Sequence, residues 1–364
     1  MNVNKISLVE ATALILIIII NRLSINIPQE ILISCGSSSI LNAIYISIIA
    51  IVLTYIIVKL FKRFPNSDII DVSEFLGGKI LKYVIGIILF AYIFSVSVLL
   101  LRDFVEILNI IYYTDTPIVY LLAFFVIVSI IANFFGDKSI IKTNVVLCIV
   151  MVISLLISFS SVIPNLTIQR IFPILGYGAS NTFLSGLTNI FAFNGLAVLY
   201  LVPPMLKDPK DFKKASMIAV VIAAILIILA TASILLAFSF STSIEKISPL
   251  YMLLSNNVFG KYFQHPEALF VFTWILSFMS YLNIICLLLV QILKKLTKVK
   301  NGKPFVIPIC IAILIFALLP NNIMQIRKLG TFLATYVAIP FVFIVLPVIL
   351  IFANLRSKKA NNNN

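Results

Sequence analysis

Charge is the scarcest commodity in this 364-residue sequence, in which only 11% of residues are Asp, Glu, Lys or Arg. A water-soluble domain carries about 25%, so the chain lacks the groups that would hold a folded surface in water. It has one histidine, His265, one tryptophan, Trp274, and 13 carboxylates that do not cluster. Hydrolytic and metal-dependent chemistry therefore lacks its parts, no cofactor is indicated, and the reading is not that of an enzyme. The four cysteines, Cys35, Cys148, Cys286 and Cys310, stand far apart in or beside apolar segments without paired spacing. They are expected to pack as small hydrophobes, without disulfides or a metal site.

What is abundant is apolar: 62% of the residues are hydrophobic, the mean hydropathy is +1.16, and the apolar residues run continuously. The solvent for most of the chain is lipid. About 20 apolar residues cross a bilayer core, and backbone exposed to lipid satisfies its own hydrogen bonds as helix. The sequence thus predicts an all-α membrane protein of ten transmembrane helices, at about 6–34, 39–58, 81–101, 117–135, 143–163, 183–205, 215–240, 266–293, 304–319 and 331–352. The first run holds an acidic Glu10 and no small-x-small cleavage site, which reads as a retained span.

The net charge of +14 acquires its meaning from placement. With the N-terminus inside, 20 of the 27 basic residues fall on the cytoplasmic side and six on the other, with Arg22 inside a span. That is the positive-inside bias, which puts both termini in the cytoplasm and removes any need for a nucleic-acid partner.

Two spans do not read as plain helices. The first is interrupted by Asn21-Arg22-Leu23-Ser24-Ile25-Asn26, with Pro28 behind, and the sixth by Asn194-Gly195. Polar or helix-breaking residues at membrane depth persist where they face protein or a cavity. Divided into spans 1 to 5 and 6 to 10, the chain gives two halves of opposite orientation, each opening with its broken helix. That is the arrangement of inverted-repeat transporters, which bind at the midplane where two discontinuous helices meet. The expected organisation is a single ten-helix domain over 1–355, with repeats about 6–163 and 183–352 and a disordered cytoplasmic tail over 356–364. No residue-level repeat links the halves.

The candidate ligand-binding residues are Asn21, Arg22, Leu23 and Ser24 in the first break, Phe193, Asn194 and Gly195 in the second, Tyr92 and Ser95 on span 3, and Trp274 on span 8. Arg22 is the costliest, because a cation at the bilayer centre costs at least about 2.5 kcal/mol unless paired or hydrated. It reads either as a counter-charge for a ligand carboxylate or as a side chain that snorkels or holds unwound backbone. Trp274 lies too deep for an interfacial belt and reads as packed against protein. Glu30 and Glu267 fall near the outer edge, so the deep regions offer no carboxylate, and Arg102 with Glu106 reads as an exposed i,i+4 pair. The stretch 71–78 predicts an interfacial helix ending at Gly77-Gly78, and Pro249 opens a short helix within the outer connection 241–265.

Several strings are familiar in their order: Arg63-Phe64-Pro65, Arg170 through Gly176 as RIFPILG, Phe191-Ala192-Phe193-Asn194-Gly195, Leu199-Tyr200 with Pro203-Pro204, and Pro266-Glu267 with Trp274. Across nearly the whole chain this resembles the B subunit of the nutrient germinant receptors of endospore-forming bacteria, the GerAB/GerKB type. The family is similar to the amino acid–polyamine–organocation superfamily, which implies the LeuT/APC-like five-plus-five inverted repeat with broken helices 1 and 6. The resemblance also implies residence in the inner spore membrane, work with receptor A and C subunits, and a small-molecule germinant, commonly an amino acid. The superfamily's transporters usually place glycines in the first break, where this chain has Asn21-Arg22-Leu23-Ser24, which turns attention to Arg22 and Ser24 as the groups that hold a carboxylate. The alternative reading is a secondary amino acid transporter coupled to H+ or Na+.

Overall fold

A computed structural model describes residues 5–238, 248–255 and 266–362. These residues are helical without a strand, and their one β-type contact is a single parallel bridge between Ile6 and Leu206. Six helices come first: α1 (Leu8–Ile20), α2 (Ile27–Cys35), α3 (Ser39–Phe61), α4 (Ile69–Tyr112), α5 (Ile118–Phe134) and α6 (Asp137–Val162). A segment that departs from α geometry follows, a π turn over Ser180–Leu184 and a 3-10 coil over Ser185–Tyr200. Then come α7 (Asp211–Ala237), α8 (Pro249–Ser255), α9 (Pro266–Thr297), α10 (Lys303–Ala317), α11 (Ile323–Phe332) and α12 (Leu346–Asn362).

Among the described residues, seven helical stretches are long and apolar enough to cross a membrane: Ile27–Phe61, Ile69–Tyr112, Asp137–Val162, Ser180–Tyr200, Asp211–Ala237, Glu267–Thr297 and Ile323–Lys358. The hydropathy pattern predicts ten. The difference lies in helix length, since α1 holds 13 residues, α5 holds 17 and α10 holds 15, against the roughly 20 that span a bilayer core.

The end of α1 has a local cause. Ser7 and Glu10 close a capping box at its start, and the helix stops at Ile20 in a 3-10 turn, Asn21–Ser24. Pro28 stands in the first turn of α2. It has no N–H to offer the Ser24 carbonyl four residues back, so a helix cannot run straight through, whereas a fresh helix accepts proline in its first turn. The α2–α3 run is hinged at Gly36, whose φ of 64° suits a residue without Cβ. In the Ser180–Tyr200 helix the backbone leaves helical values at Phe193 (φ −99°, ψ 24°), one residue before Asn194-Gly195.

Burial sorts the helices. In α1 every residue from Leu14 to Ile20 is buried, and the helix packs against α6, α7, α9 and the Ser180–Tyr200 helix. A helix apolar all round belongs at a centre. At the periphery, α5 turns Tyr120, Phe124, Ile127 and Ile131 outward, each more than half exposed, as lipid-facing side chains do.

Three further features differ from, or extend, the sequence reading. Helix α4 starts at Ile69 and is interrupted at Gly77 and Gly78, so the interfacial helix expected over 71–78 is its first two turns. Helix α12 continues through Arg356 to Asn362, where the sequence predicts a disordered tail from 356 onward. Extending a formed helix adds one hydrogen bond per residue at little cost, and Arg356 donates to the Leu76 carbonyl. Cys286 and Cys310, 24 residues apart, meet across α9 and α10 with sulfurs 3.4 Å apart, because buried small side chains face each other where these helices cross. Pro249–Ser255 forms the short helix expected there; the rest of that connection, with His265, lies outside the described residues.

The start of α4 is tied to the end of α9. Asp68 caps α4 by accepting from the Ile70 and Asp71 amides, both at 3.0 Å, and the Lys295 ammonium donates to Asp68 and Asp71 together. Burial pushes the Asp68 carboxyl above the usual carboxylate range, while Lys295 pulls it down. A raised carboxyl favours the fold below its ordinary range, and that contribution is lost as pH climbs through the raised value. Replacing Lys295 with Met removes the opposing cation and raises the carboxyl further. The variant is therefore expected to match wild type near pH 4 and to be less stable by roughly 3 kcal/mol near neutral pH, as measured by thermal unfolding of purified protein across a pH series.

Candidate functional site

The 3-10 turn between α1 and α2 brings Arg22 to the middle of the bundle, where it is 7% exposed. Its Nη2 donates to Glu30 Oε1 at 3.1 Å and to Asn26 Oδ1 at 3.4 Å, and its guanidinium carbon lies 4.4 Å from the centroid of the Phe191 ring. The partners follow from the turn itself: Asn26 and Glu30 sit one and two helical turns beyond Arg22 on the same side of α2. Asn26 in turn donates from Nδ2 to Asp103 Oδ2 on α4 at 3.3 Å. Asp103 is 5% exposed, and its other carboxylate oxygen has no partner among the described residues. From α11, Arg327 donates to Gln29 Oε1 at 3.4 Å and adds a second guanidinium on the same side.

Three adjoining cavities share Arg22 as a wall. The one toward α1 is about 20 Å³, lined by Ile18, Tyr92, Asn194, Gly195 and Tyr281 among others. The middle one, about 40 Å³, is faced by Asp103, Asn26, Phe191, Asn194 and Arg327. The third, toward α2, is about 330 Å³ and is bordered by Glu30, Thr188, Asn189, Arg327 and Thr331. A space of about 10–15 Å³ admits one water, so the two inner cavities are of water size and the third is of small-ligand size. Two cations, two carboxylates and an aromatic face around these cavities suit a small dipolar molecule, with Arg22 and Arg327 for an anionic group and Asp103 for a cationic one.

Of the residues singled out from sequence, Arg22, Tyr92, Asn194 and Gly195 come together around the innermost cavity. Asn21 turns away and donates to the Ser277 carbonyl of α9 at 3.1 Å. Leu23 and Phe193 are wholly buried in the apolar core, and Ser95 is half-buried on α4 away from these cavities. Trp274 packs edge-on to Phe104, with ring centroids 4.8 Å apart, and stacks on Phe270 at 5.7 Å, within an aromatic cluster separate from the cavities. The backbone of Ser24 completes the 3-10 turn, and its side chain lies outside the described residues.

The structure also corrects the charge map. Asp103 is a deep carboxylate, where the sequence reading has none. Arg102 and Glu106 form a 2.9 Å pair with side chains only 6% and 16% exposed, not an exposed one. The reason is the length of α4: it runs on to Tyr112, so residues placed by hydropathy just beyond a span end at 101 still lie inside the bundle. Asn26, Asp103 and Arg327 line the middle cavity with Arg22 and are absent from the sequence-based candidates. The available signal was the i,i+4,i+8 spacing of Arg22, Asn26 and Glu30; nothing in the sequence pairs Asp103 or Arg327 with them.

Comparisons with known proteins agree with this architecture. Spore germination protein KB of Bacillus subtilis (strain 168) is 24% identical over 274 residues, 74% of each chain. A Na+-coupled sialic acid symporter, solved in a substrate-bound outward-open state, aligns with a TM-score of 0.62, covering 90% of this chain and 79% of its own. The two share 12% identity, so the likeness concerns the fold, that of a transporter. The family described as Spore germination protein matches residues 5–326, nearly the whole chain, and on that match the chain belongs to the spore germination permease family.

Proposed function

We propose that this chain is the integral-membrane subunit of a spore nutrient-germinant receptor, which binds a small germinant, an amino acid by preference, between the breaks of helices 1 and 6 and signals germination. The observation that carries the reading is the position of Arg22: a buried guanidinium in the turn between α1 and α2 that lines three cavities, the middle one with Asp103 and Asn194. In this reading the chain crosses the membrane ten times in two inverted sets of five, α1 and α2 being the halves of the first broken span. The Ser180–Tyr200 helix, interrupted at Phe193, is the second. Both termini face the spore core across the inner membrane, and receptor A and C subunits take up the signal.

Of the three cavities that Arg22 lines, the one toward α2 is of ligand size, at about 330 Å³. A germinant that enters there and moves past Arg22 has to widen the inner cavities. Ligand binding then favours an expanded packing over the described one, a differential affinity that biases the bundle and its partners. The test is germination of spores with an in-frame deletion of this gene, exposed to a panel of amino acids and other small nutrients. Loss of response to one nutrient class, restored by the intact gene, supports the receptor reading; an intact response to every nutrient counts against it.

A second reading, secondary transport coupled to H+ or Na+, draws on the symporter-like fold and on the buried Asp103 carboxylate. Uptake of labelled amino acid into proteoliposomes separates the two. For a carrier, Asp103→Asn is expected to abolish accumulation driven by an ion gradient while exchange across the membrane continues. For a receptor, neither wild type nor variant accumulates substrate, and the variant binds its germinant roughly 10- to 100-fold more weakly through the lost charge-assisted hydrogen bond.

A further inference from the structure

Away from the Arg22 site, the clearest unassigned feature is a cavity of about 330 Å³ walled by four lysines, Lys5, Lys138, Lys142 and Lys207. We infer that it is a binding site for a phosphate-bearing anion, either the headgroup of an anionic phospholipid or a free phosphate compound.

Three separate stretches of chain build it. Ile6 donates to the Met205 carbonyl at 2.7 Å and accepts from the Lys207 amide at 2.9 Å, a two-bond clamp that sets Lys5 and Lys207 side by side. The Lys5 ammonium is held over the chain by the Pro204 carbonyl at 3.1 Å. Lys138 and Lys142 come from the first two turns of α6, four residues apart and so on one face. The first turn of α6 carries one carboxylate, Asp137, which does not line the cavity. Buried Ile6 and Ile141 supply an apolar floor.

The one carboxylate in the wall, Glu10, is already engaged. Its Oε2 accepts from the Ser7 amide at 2.7 Å and the Ser7 hydroxyl at 2.9 Å, in the capping box of α1. Four lysines therefore line the cavity beside one committed carboxylate, a surplus of three positive charges among its lining residues. The positive-inside rule accounts for lysines on one side of the membrane, and it works from any position within about 15–20 residues of a span end. It does not require lysines from three segments to converge on one cavity, where these four exposed side chains repel one another through solvent. An anion in the cavity offsets that repulsion. Lysines act as mobile point charges toward phosphate, and four of them reach more than one oxygen of a phosphomonoester or phosphodiester. The volume exceeds that of inorganic phosphate and leaves space for a glycerol- or ribose-sized group beside it. The site stands independently of germinant binding at Arg22.

The test compares wild type with the double variant Lys142→Gln, Lys207→Gln, and with a control of equal charge loss, Lys294→Gln, Lys300→Gln. In the first arm the proteins are held in phosphatidylcholine nanodiscs and titrated with glycerol phosphate at constant ionic strength, with thermal unfolding as the readout. In the second they are extracted from membranes containing phosphatidylglycerol, and retained lipid is measured by native mass spectrometry. Polybasic contacts lose roughly fivefold in affinity per lysine removed, so the double variant should bind about 25-fold more weakly and the control should match wild type. Stabilisation by glycerol phosphate, lost in the double variant, assigns a free phosphate compound. Retention of phosphatidylglycerol, lost in the double variant without a glycerol phosphate effect, assigns a lipid headgroup. If neither probe separates wild type from the double variant, or if the control loses binding equally, the inference is overturned.

Discussion

Arg22→Ala is expected to abolish ligand-dependent stabilisation of the purified protein while leaving most of it folded. The guanidinium is the shared wall of all three cavities, so its loss removes the one cation among the described residues that lines the innermost one. A charge-assisted hydrogen bond contributes about 1.5–3 kcal/mol, or roughly 10- to 150-fold in affinity, and a bidentate contact to a carboxylate more. The cost to the fold is smaller than for a fully buried ion pair. Glu30 keeps 45% of its side chain exposed and can hydrate when its partner goes, so the expected destabilisation is about 1–2 kcal/mol, set by lost packing on Phe191 and the freed Asn26 oxygen. Arg22→Lys retains the charge but not the planar fork that spans Asn26, Glu30 and a ligand, and should recover only part of the affinity. The measurement is the shift in unfolding temperature of wild type and both variants across a nutrient panel. A full ligand-induced shift in Arg22→Ala would remove the site from this part of the molecule.

Gly195→Val should produce the largest loss of folded protein among single substitutions near the site. A Cβ at Gly195 would stand 2.9 Å from Ile19 Cγ1 and 3.0 Å from both Cα and N of Ile19. Two of those three atoms are backbone of α1, which is enclosed by four packed helices and has nowhere to retreat. Overpacking of this kind costs typically about 1–3 kcal/mol, and the γ-methyls of Val add to the clash. Gly330 provides the internal comparison: it borders the two cavities on the α11 side, and a Cβ there meets nothing within 4 Å. Gly330→Ala is therefore expected to leave stability unchanged or raise it by several tenths of a kcal/mol through helix propensity. Monodisperse yield in size-exclusion chromatography and thermal unfolding would read both. Equal stability of the two variants would mean that Gly195 does not pack against Ile19 of α1 as described.

The departure from helical backbone beside Gly195 is legible in part. Asn194-Gly195 is visible in the sequence as a pair that unwinds helix, yet the backbone leaves helical values one residue earlier, at Phe193. The glycine's role is the close approach to Ile19, which no local pattern encodes. Arg22 was legible because a cation in an apolar run is costly wherever the run folds. Its pairing with Glu30 is not written in the sequence, and Asp103 is hidden because hydropathy marks a span's end where the apolar run ends, at Leu101, while α4 continues for eleven residues more. Trp274 was read from its depth as packed against protein, and it sits against Phe104 and Phe270.

Composition and the length of the apolar runs alone determined that lipid is the solvent and that the chain is helical, because each is a property of residues summed along the chain. Pro28 and the polar run before it likewise determined that α1 ends at Ile20, a matter of hydrogen bonds within one turn. Only the tertiary structure decided that Asn26 carries the Arg22 cluster on to Asp103, that Arg327 arrives from the far end of the chain, and that four lysines from three segments share a cavity. Those juxtapositions arise from how helices of unequal length cross, and side chains up to about 300 residues apart meet there through packing that no local stretch of sequence contains.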